Sequence, residues 1–269
     1  MKALKFSTLF ITYSFMLMMG CSSVIEPDDP FNGNRYTAES DFSFTIAAEE
    51  KSKLELSSLN GQVDIVGVEG TTDVVVSGTK VVKSDDQRDA DNYLKNLRVS
   101  IAEAGNSLIV TSDQPENTHG REVRIDYTIQ VPANWATQTE LSNGNCQLDS
   151  LRNDVMVKVT NGNVALIDVF ASAYVRVTNG QIEGRVNLPP DGSYNAQTTN
   201  GLINLTVPQT TSARFSAKVT NGTVNVTGLS LQDMSGSSKE IHGIIGDGKG
   251  AIELETTNGN INVVGVAQM

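Results

Sequence analysis

The sequence predicts an all-β protein built as a β-solenoid, right-handed and β-helix-like, with an antiparallel β-meander as the alternative. Two observations carry this. The dipeptide Asn-Gly recurs seven times with an apolar residue three places after the Asn, at Asn60-Gly61, Asn143-Gly144, Asn161-Gly162, Asn179-Gly180, Asn200-Gly201, Asn221-Gly222 and Asn258-Gly259. From Asn143 onward these asparagines are 18, 18, 21, 21 and 37 residues apart, and periods near twenty mark stacked repeats. Apolar and polar residues also alternate with period two on both sides of the dipeptides, as in strands with one buried face.

In chain order, residues 1–20 read as a signal peptide. Lys2 and Lys5 precede an apolar run from Leu9 to Met19 that is too short to span a membrane. Leu17-Met18-Met19-Gly20-Cys21 resembles a bacterial lipobox, which implies lipid attachment at Cys21 and a bacterial envelope lipoprotein. Ser22 rather than Asp after the Cys implies the outer membrane. Loss of residues 1–20 removes two Lys and no acid, taking the formal charge from −11 to −13. That balance repels phosphate backbones and argues against a nucleic-acid partner. Residues 21–40, with Pro27 and Pro30, read as a flexible tether with order beginning near Phe42.

Residues 41–135 form the N-terminal β portion. Phe42, Phe44, Ile46, Leu54, Leu56, Val63 and Ile65 alternate, and Gly61, Gly67, Gly70 and Gly78 punctuate short strands. One helix is predicted at 85–97. Ser84 to Gln87 has the form of a capping box, and Ala90, Tyr93, Leu94 and Leu97 follow at helical spacing. Asp85, Asp86, Asp89 and Asp91 lack the alternating ligands and central Gly of a calcium loop; they suit a helix N-terminus. Gly105-Asn106 predicts a hairpin turn, and Val123–Val131 a strand ended by Pro132.

Residues 136–269 carry the repeat and continue the same domain. Six, four and two places before Asn, the apolar set includes Val155, Val157 and Val159, or Phe215, Ala217 and Val219. After Gly it continues at Val164 and Leu166, with Gly184 the exception in its row. Inward positions on either side lie five apart, so the Asn-Gly pair must reverse the pleat at a sharp corner. Asn tolerates the left-handed conformation and Gly adopts it freely, which predicts that both residues bend. The last interval, with its Gly- and Ser-rich 235–250 segment, reads as an insertion or a degenerate rung.

Leu59–Ile65, Tyr127–Pro132, the Thr-Asn-Gly series and Gly246–Leu254 together resemble a bacterial family of domains of unknown function, named for adhesins by analogy and also called toastrack-like. The resemblance covers about residues 42–266 and implies an envelope β-solenoid without known catalytic residues.

No catalytic, metal or cofactor residue is assigned. Cys146 falls in an inward register and reads as core. Gly243-Ile244-Ile245-Gly246-Asp247-Gly248-Lys249 begins like a phosphate-binding loop, but Gly250 replaces the Ser or Thr. His119 and His242 have no neighbours at ligand spacing. Lys158, Arg176, Gln197 and Lys218 form an outward line that a polysaccharide-active enzyme could use. Tyr174 is the one outward aromatic of the repeat. The sequence therefore points to a non-enzymatic envelope lipoprotein that presents its surface for adhesion, binding or scaffolding. Its partners would be the membrane, through the lipid, and an envelope protein or glycan. The alternatives are the polysaccharide-active enzyme and an envelope-stress sensing module.

Overall fold

The computed structural model describes residues 34–48 and 50–267. Cys21, the expected signal peptide and residues 21–33 of the expected tether lie outside the described residues. In chain order the strands are β1 (Tyr36–Ala47), β2 (Lys53–Asn60), β3 (Val63–Val68) and β4 (Asp73–Ser84); helix α1 (Gln87–Leu94); then β5 (Arg98–Ala104), β6 (Ser107–Asp113), β7 (Glu122–Pro132), β8 (Ala136–Asn143) and β9 (Cys146–Asp149). The repeat continues with β10 (Val155–Asn161), β11 (Val164–Val169), β12 (Ala173–Asn179), β13 (Ile182–Val186), β14 (Ser193–Asn200), β15 (Ile203–Pro208), β16 (Ala213–Asn221) and β17 (Val224–Thr227). A hairpin of β18 (Leu231–Ser237) and β19 (Glu240–Ile245) follows, then β20 (Gly250–Asn258) and β21 (Ile261–Val266).

These strands build two sheets that face each other across one core, within a compact unit spanning Gly33–Met269. The ten-stranded sheet runs β1-β4-β7-β3-β9-β11-β13-β15-β21-β17, and the eleven-stranded sheet runs β18-β19-β16-β20-β14-β12-β10-β8-β2-β6-β5. Each rung is one strand from each sheet, joined at an Asn-Gly corner in every rung but β6/β7, where residues 114–121 make the connection. Neighbouring rungs pair in parallel with their asparagines in register, as in Asn161 with Asn143 and with Asn179. The protein is a β-solenoid, and the meander alternative fails because hairpin-connected neighbours would have to run antiparallel. Antiparallel pairing is confined to the ends of the stack, at β1-β4-β7, β5-β6 and β16-β19-β18.

The alternation places the inward set as expected. Val155, Val157, Val159, Val164, Leu166, Phe215, Ala217 and Val219 are all buried. Each fully buried Val, Ile or Leu contributes about 1.5–3 kcal/mol. Gly184 breaks its row for a steric reason: a Cβ there would sit 2.5 Å from the hydroxyl of Tyr194, the large inward residue of the next rung. Thr198 and Thr256 occupy inward places otherwise held by Val, and their hydroxyls donate to the Gly180 and Gly201 carbonyls of adjacent rungs.

The structure corrects several boundaries. Order begins earlier than expected, since β1 already includes Tyr36–Ser40 of the expected tether and pairs along its whole length with β4. The helix is shorter, Gln87–Leu94 rather than 85–97. Its N-cap is Asp86, whose carboxylate accepts from the Asp89 amide, so the cap lies two residues after Ser84. Ala90 and Leu97 are buried and Tyr93 and Leu94 partly so, but Leu97 reaches the core from beyond the helix.

The order of rungs departs from the order of the chain twice. β2/β3 lies between β6/β7 and β8/β9. The final rung, β20/β21, lies between β14/β15 and β16/β17. The 37-residue interval is thus an inserted hairpin, β18–β19, which folds antiparallel onto β16 before the chain returns to fill a rung-sized gap.

Candidate binding surface

Two outward features could carry function: the column of Asn-Gly corners and the outer face of the eleven-stranded sheet. In the corner column, the side chains of Asn60, Asn143, Asn161, Asn179, Asn200, Asn258 and Asn221 form one continuous ladder. Each Nδ2 donates to the next Oδ1 toward Asn60, at 2.8–2.9 Å. The backbone runs the opposite way, with each corner Gly N–H donating to the next Asn carbonyl away from Asn60, as from Gly144 to Asn161. Side-chain and backbone amides thus tie each corner to its neighbours in both directions along the column, which makes it a structural spine.

Of the two corner residues, only Gly bends. Gly61, Gly144, Gly162, Gly180, Gly222 and Gly259 have φ between 134° and 149°, whereas none of the seven asparagines has positive φ. The expected left-handed Asn is thus corrected: Asn ends an extended strand, and its amide is selected by the ladder. The demand for Gly is also sterically stronger than a bend alone requires. A Cβ on Gly162 or Gly201 would lie 1.8 Å from the carbonyl oxygen of the preceding corner glycine, and on Gly180 1.9 Å.

The outer face of the eleven-stranded sheet is organised in rows across the rungs. The row containing the expected Lys158, Arg176, Gln197 and Lys218 line exists, but the inserted rung changes it. In stack order it reads Glu140, Lys158, Arg176, Gln197, Glu255, Lys218 and Glu240. Glu255 stands between Gln197 and Lys218, Lys158 pairs with Glu140 at 2.9 Å, and Lys218 lies 4.0 Å from Glu240. A contiguous basic line is therefore not what the fold assembles. The adjoining row reads Gln138, Met156, Tyr174, Asn195, Glu253, Ser216 and His242. Tyr174 is half-buried between Met156 and Asn195. Where the inserted rung meets its neighbours, Asn195, Gln197, Ser216, Lys218, Glu253, Leu254 and Glu255 line a shallow cleft of about 230 Å³. Asn195 donates to Glu253 there at 3.0 Å. Neither the cleft nor Glu253 and Glu255 is visible as a site in sequence, because β20 is remote in the chain from β14.

The remaining expected residues fall as follows. Cys146 is buried in the inward row, and burial pushes its thiol well above the usual range. In the segment resembling a phosphate loop, the Asp247 and Lys249 amides both donate to Ser212 Oγ, and strand β20 rather than a helix follows. His119 is exposed in a left-handed turn, and His242 lies 3.2 Å from Glu240. The four acids near the helix are each engaged: Asp85 by the Asn34 amide, Asp86 as the cap, Asp89 by Arg121 and Ser84, and Asp91 by Gln87. Among the described residues no cluster of three or more His, Cys, Asp or Glu is placed to hold a metal ion.

The family model described as Toastrack DUF4097 matches residues 35–264. A comparison with curated proteins finds no match. Among solved structures, a "putative cell adhesion protein" from Clostridium sporogenes aligns with a TM-score of 0.50 and 17% identity, over 85% of this chain and 100% of that one. A "putative adhesin" from Bacteroides fragilis aligns with a TM-score of 0.39 and 13% identity, over 84% of this chain and 97% of that one.

Proposed function

The chain belongs to the Toastrack DUF4097 family, and from that premise we propose that it is a non-enzymatic envelope lipoprotein. A lipid on Cys21 holds it to the outer membrane, and the solenoid displays an outer face for adhesion or scaffolding. One observation carries this reading. Corner and inward positions are uniform in kind from rung to rung, whereas the outward row changes at every rung, from Met156 to Tyr174, Asn195, Glu253 and Ser216. A rigid frame with a variegated face suits recognition of an extended partner, an envelope protein or glycan. The name given to the C. sporogenes protein, a "putative cell adhesion protein", agrees with a cell-surface role.

Fractionation tests the anchor. Cys21→Ala should release the protein from the membrane fraction, and a variant that stays membrane-bound overturns the lipoprotein reading. The second reading, a polysaccharide-active enzyme, draws on the cleft where Glu253 and Glu255 face Ser216 and Lys218 across the strand pair. Turnover of an envelope or matrix glycan by purified protein, abolished by Glu253→Gln or Lys218→Gln, would favour it. For the third role, stress sensing, a deletion strain with normal attachment but altered envelope-stress transcription would replace adhesion.

A further inference from the structure

Two sheets have four edges, and an edge strand with free backbone groups pairs with other chains unless something prevents it. Three of these edges are protected. β17 has only four residues. β18 has a register break between Gln232 and Ser235, with Asp233 at φ 50°. β5 carries Arg98 and Glu103. The fourth, β1, is twelve residues long and pairs with β4 without a register break; its charges, Glu39 and Asp41, lie in its first half and leave Phe42 to Ala47 free of charge and proline.

That charge-free stretch is also apolar on the face that continues the core. Phe42, Phe44 and Ile46 alternate on it, with Phe44 39% exposed and the other two half-buried. The face is built for these rings. A Cβ on Gly78 of β4 would come within 2.0 Å of the Asp126 carbonyl oxygen and 2.7 Å of the Phe42 ring, so glycine there leaves room for both. Phe42 crosses it to meet Tyr127 of β7 edge-on at 5.6 Å, and Phe44 follows 6.0 Å from Phe42. Among the described residues no strand lies beyond β1, and the apolar layer ends at Phe44.

We propose that β1 is a dimerisation edge, completed by the β1 of a second copy added antiparallel about a two-fold axis at Phe44. Residues opposite each other in an antiparallel pair point to the same face, so a register centred on Phe44 sets every contact. Phe44 meets the partner's Phe44, and Phe42 meets the partner's Ile46. On the other face Ser43 meets the partner's Thr45, and Asp41 meets the partner's Ala47. Across the paired stretch Asp41–Ala47 no like charges oppose each other, and aromatic and hydroxyl pairs of these kinds favour strand pairing. The two-fold pairing uses both edges and closes at two copies instead of growing into a fibre. The chain's own segment 22–33 suits the edge less well, since Pro27 and Pro30 cannot donate to a ladder and Glu26, Asp28 and Asp29 crowd like charge.

Sedimentation equilibrium of the mature chain from Ser22, free of lipid, tests this. A monomer–dimer equilibrium is expected, with Phe44→Lys raising the dissociation constant at least about tenfold while the melting temperature holds. The register is tested by cross-linking. Phe44→Cys should form an intermolecular disulfide, because opposite Cα atoms lie about 4.5–5.5 Å apart, and Ser40→Cys should not. Cys146 is buried and leaves the assay clean. A wild-type chain that stays monomeric up to its solubility limit overturns the proposal, as does a dimer that Phe44→Lys leaves intact.

Discussion

At a corner, two neighbouring residues have unlike jobs, and substitution should separate them. Asn179 gives one side-chain hydrogen bond to Asn161 and takes one from Asn200. These bonds are exposed, so Asn179→Ala should cost about 1–2 kcal/mol. Gly180 has φ 147° and stands against the Gly162 carbonyl. Gly180→Ala should cost about 3–5 kcal/mol, since strain and a backbone clash combine. Thermal melts of the two variants check the order, and equal losses would refute the division of labour. The sequence reading found the corner and its parity. It could not tell that Gly serves close stacking and Asn serves the ladder, because both reasons lie in the neighbouring rung. The exception at Gly184 is likewise explained only from the next rung, where Tyr194 fills its space.

At the scale of an element, helix α1 shows local chemistry fixing a docking. Arg121 clasps the Asp89 carboxylate with two nitrogens and covers the Tyr93 ring at 4.6 Å. Hydrogen bonds from Arg121 and then Ser84 hold Asp89 down to about 2, against 3.8 ordinarily. A carboxylate depressed in the fold stabilises it fully above the unfolded value, and that contribution fades as pH falls toward 2. Arg121→Gln should move the Asp89 titration midpoint toward about 4, read by carboxyl NMR, and should weaken amide-exchange protection across Gln87–Leu94. An unmoved midpoint would show that Ser84 alone sets it. The helix was legible from its apolar spacing. Its true cap was not, since Ser84 is drawn away to Asp89.

The ends of the stack were not legible either. At the corner column, Gln114 closes one end by accepting from the Asn60 amide and donating to the Asn60 carbonyl. The β18–β19 turn closes the other, with the Ser238 and Lys239 carbonyls accepting from the Val224 and Val219 amides. Both act as caps on a repeat array, yet neither residue pattern resembles a repeat. Ser238→Pro leaves these carbonyls in place but distorts the turn that aims them. It should lower the melting temperature modestly without dissolving the stack, a test by calorimetry.

For the whole molecule, the decisive feature is the order of rungs. Period and alternation gave the number of corners and the inward faces, because both are properties of one rung. Which rung lies beside which is a non-local choice, and so Glu255 came to interrupt the expected Lys158–Lys218 line. The same choice makes the last rung an interior one. Removal of residues 250–269 would strip the shared partner from β14/β15 and β16/β17 and expose Ala196, Ala217, Ile203 and Val224. The shortened chain should lose its cooperative thermal transition and become sensitive to protease throughout the later repeats, whereas a peripheral rung would be lost with only local fraying. Circular dichroism melts and limited proteolysis distinguish the two outcomes.

That interior last rung also bears on biogenesis. A polypeptide emerging N-terminus first, from the ribosome or through an export channel, can align its early rungs as they appear. It cannot close the later stack, because the strand that belongs in the gap is the last to arrive. Completion of the fold is thereby deferred until Ile261–Val266 has cleared the exit. The rung order thus works as a timing device: the later stack stays open until β20 and β21 have emerged, and then locks.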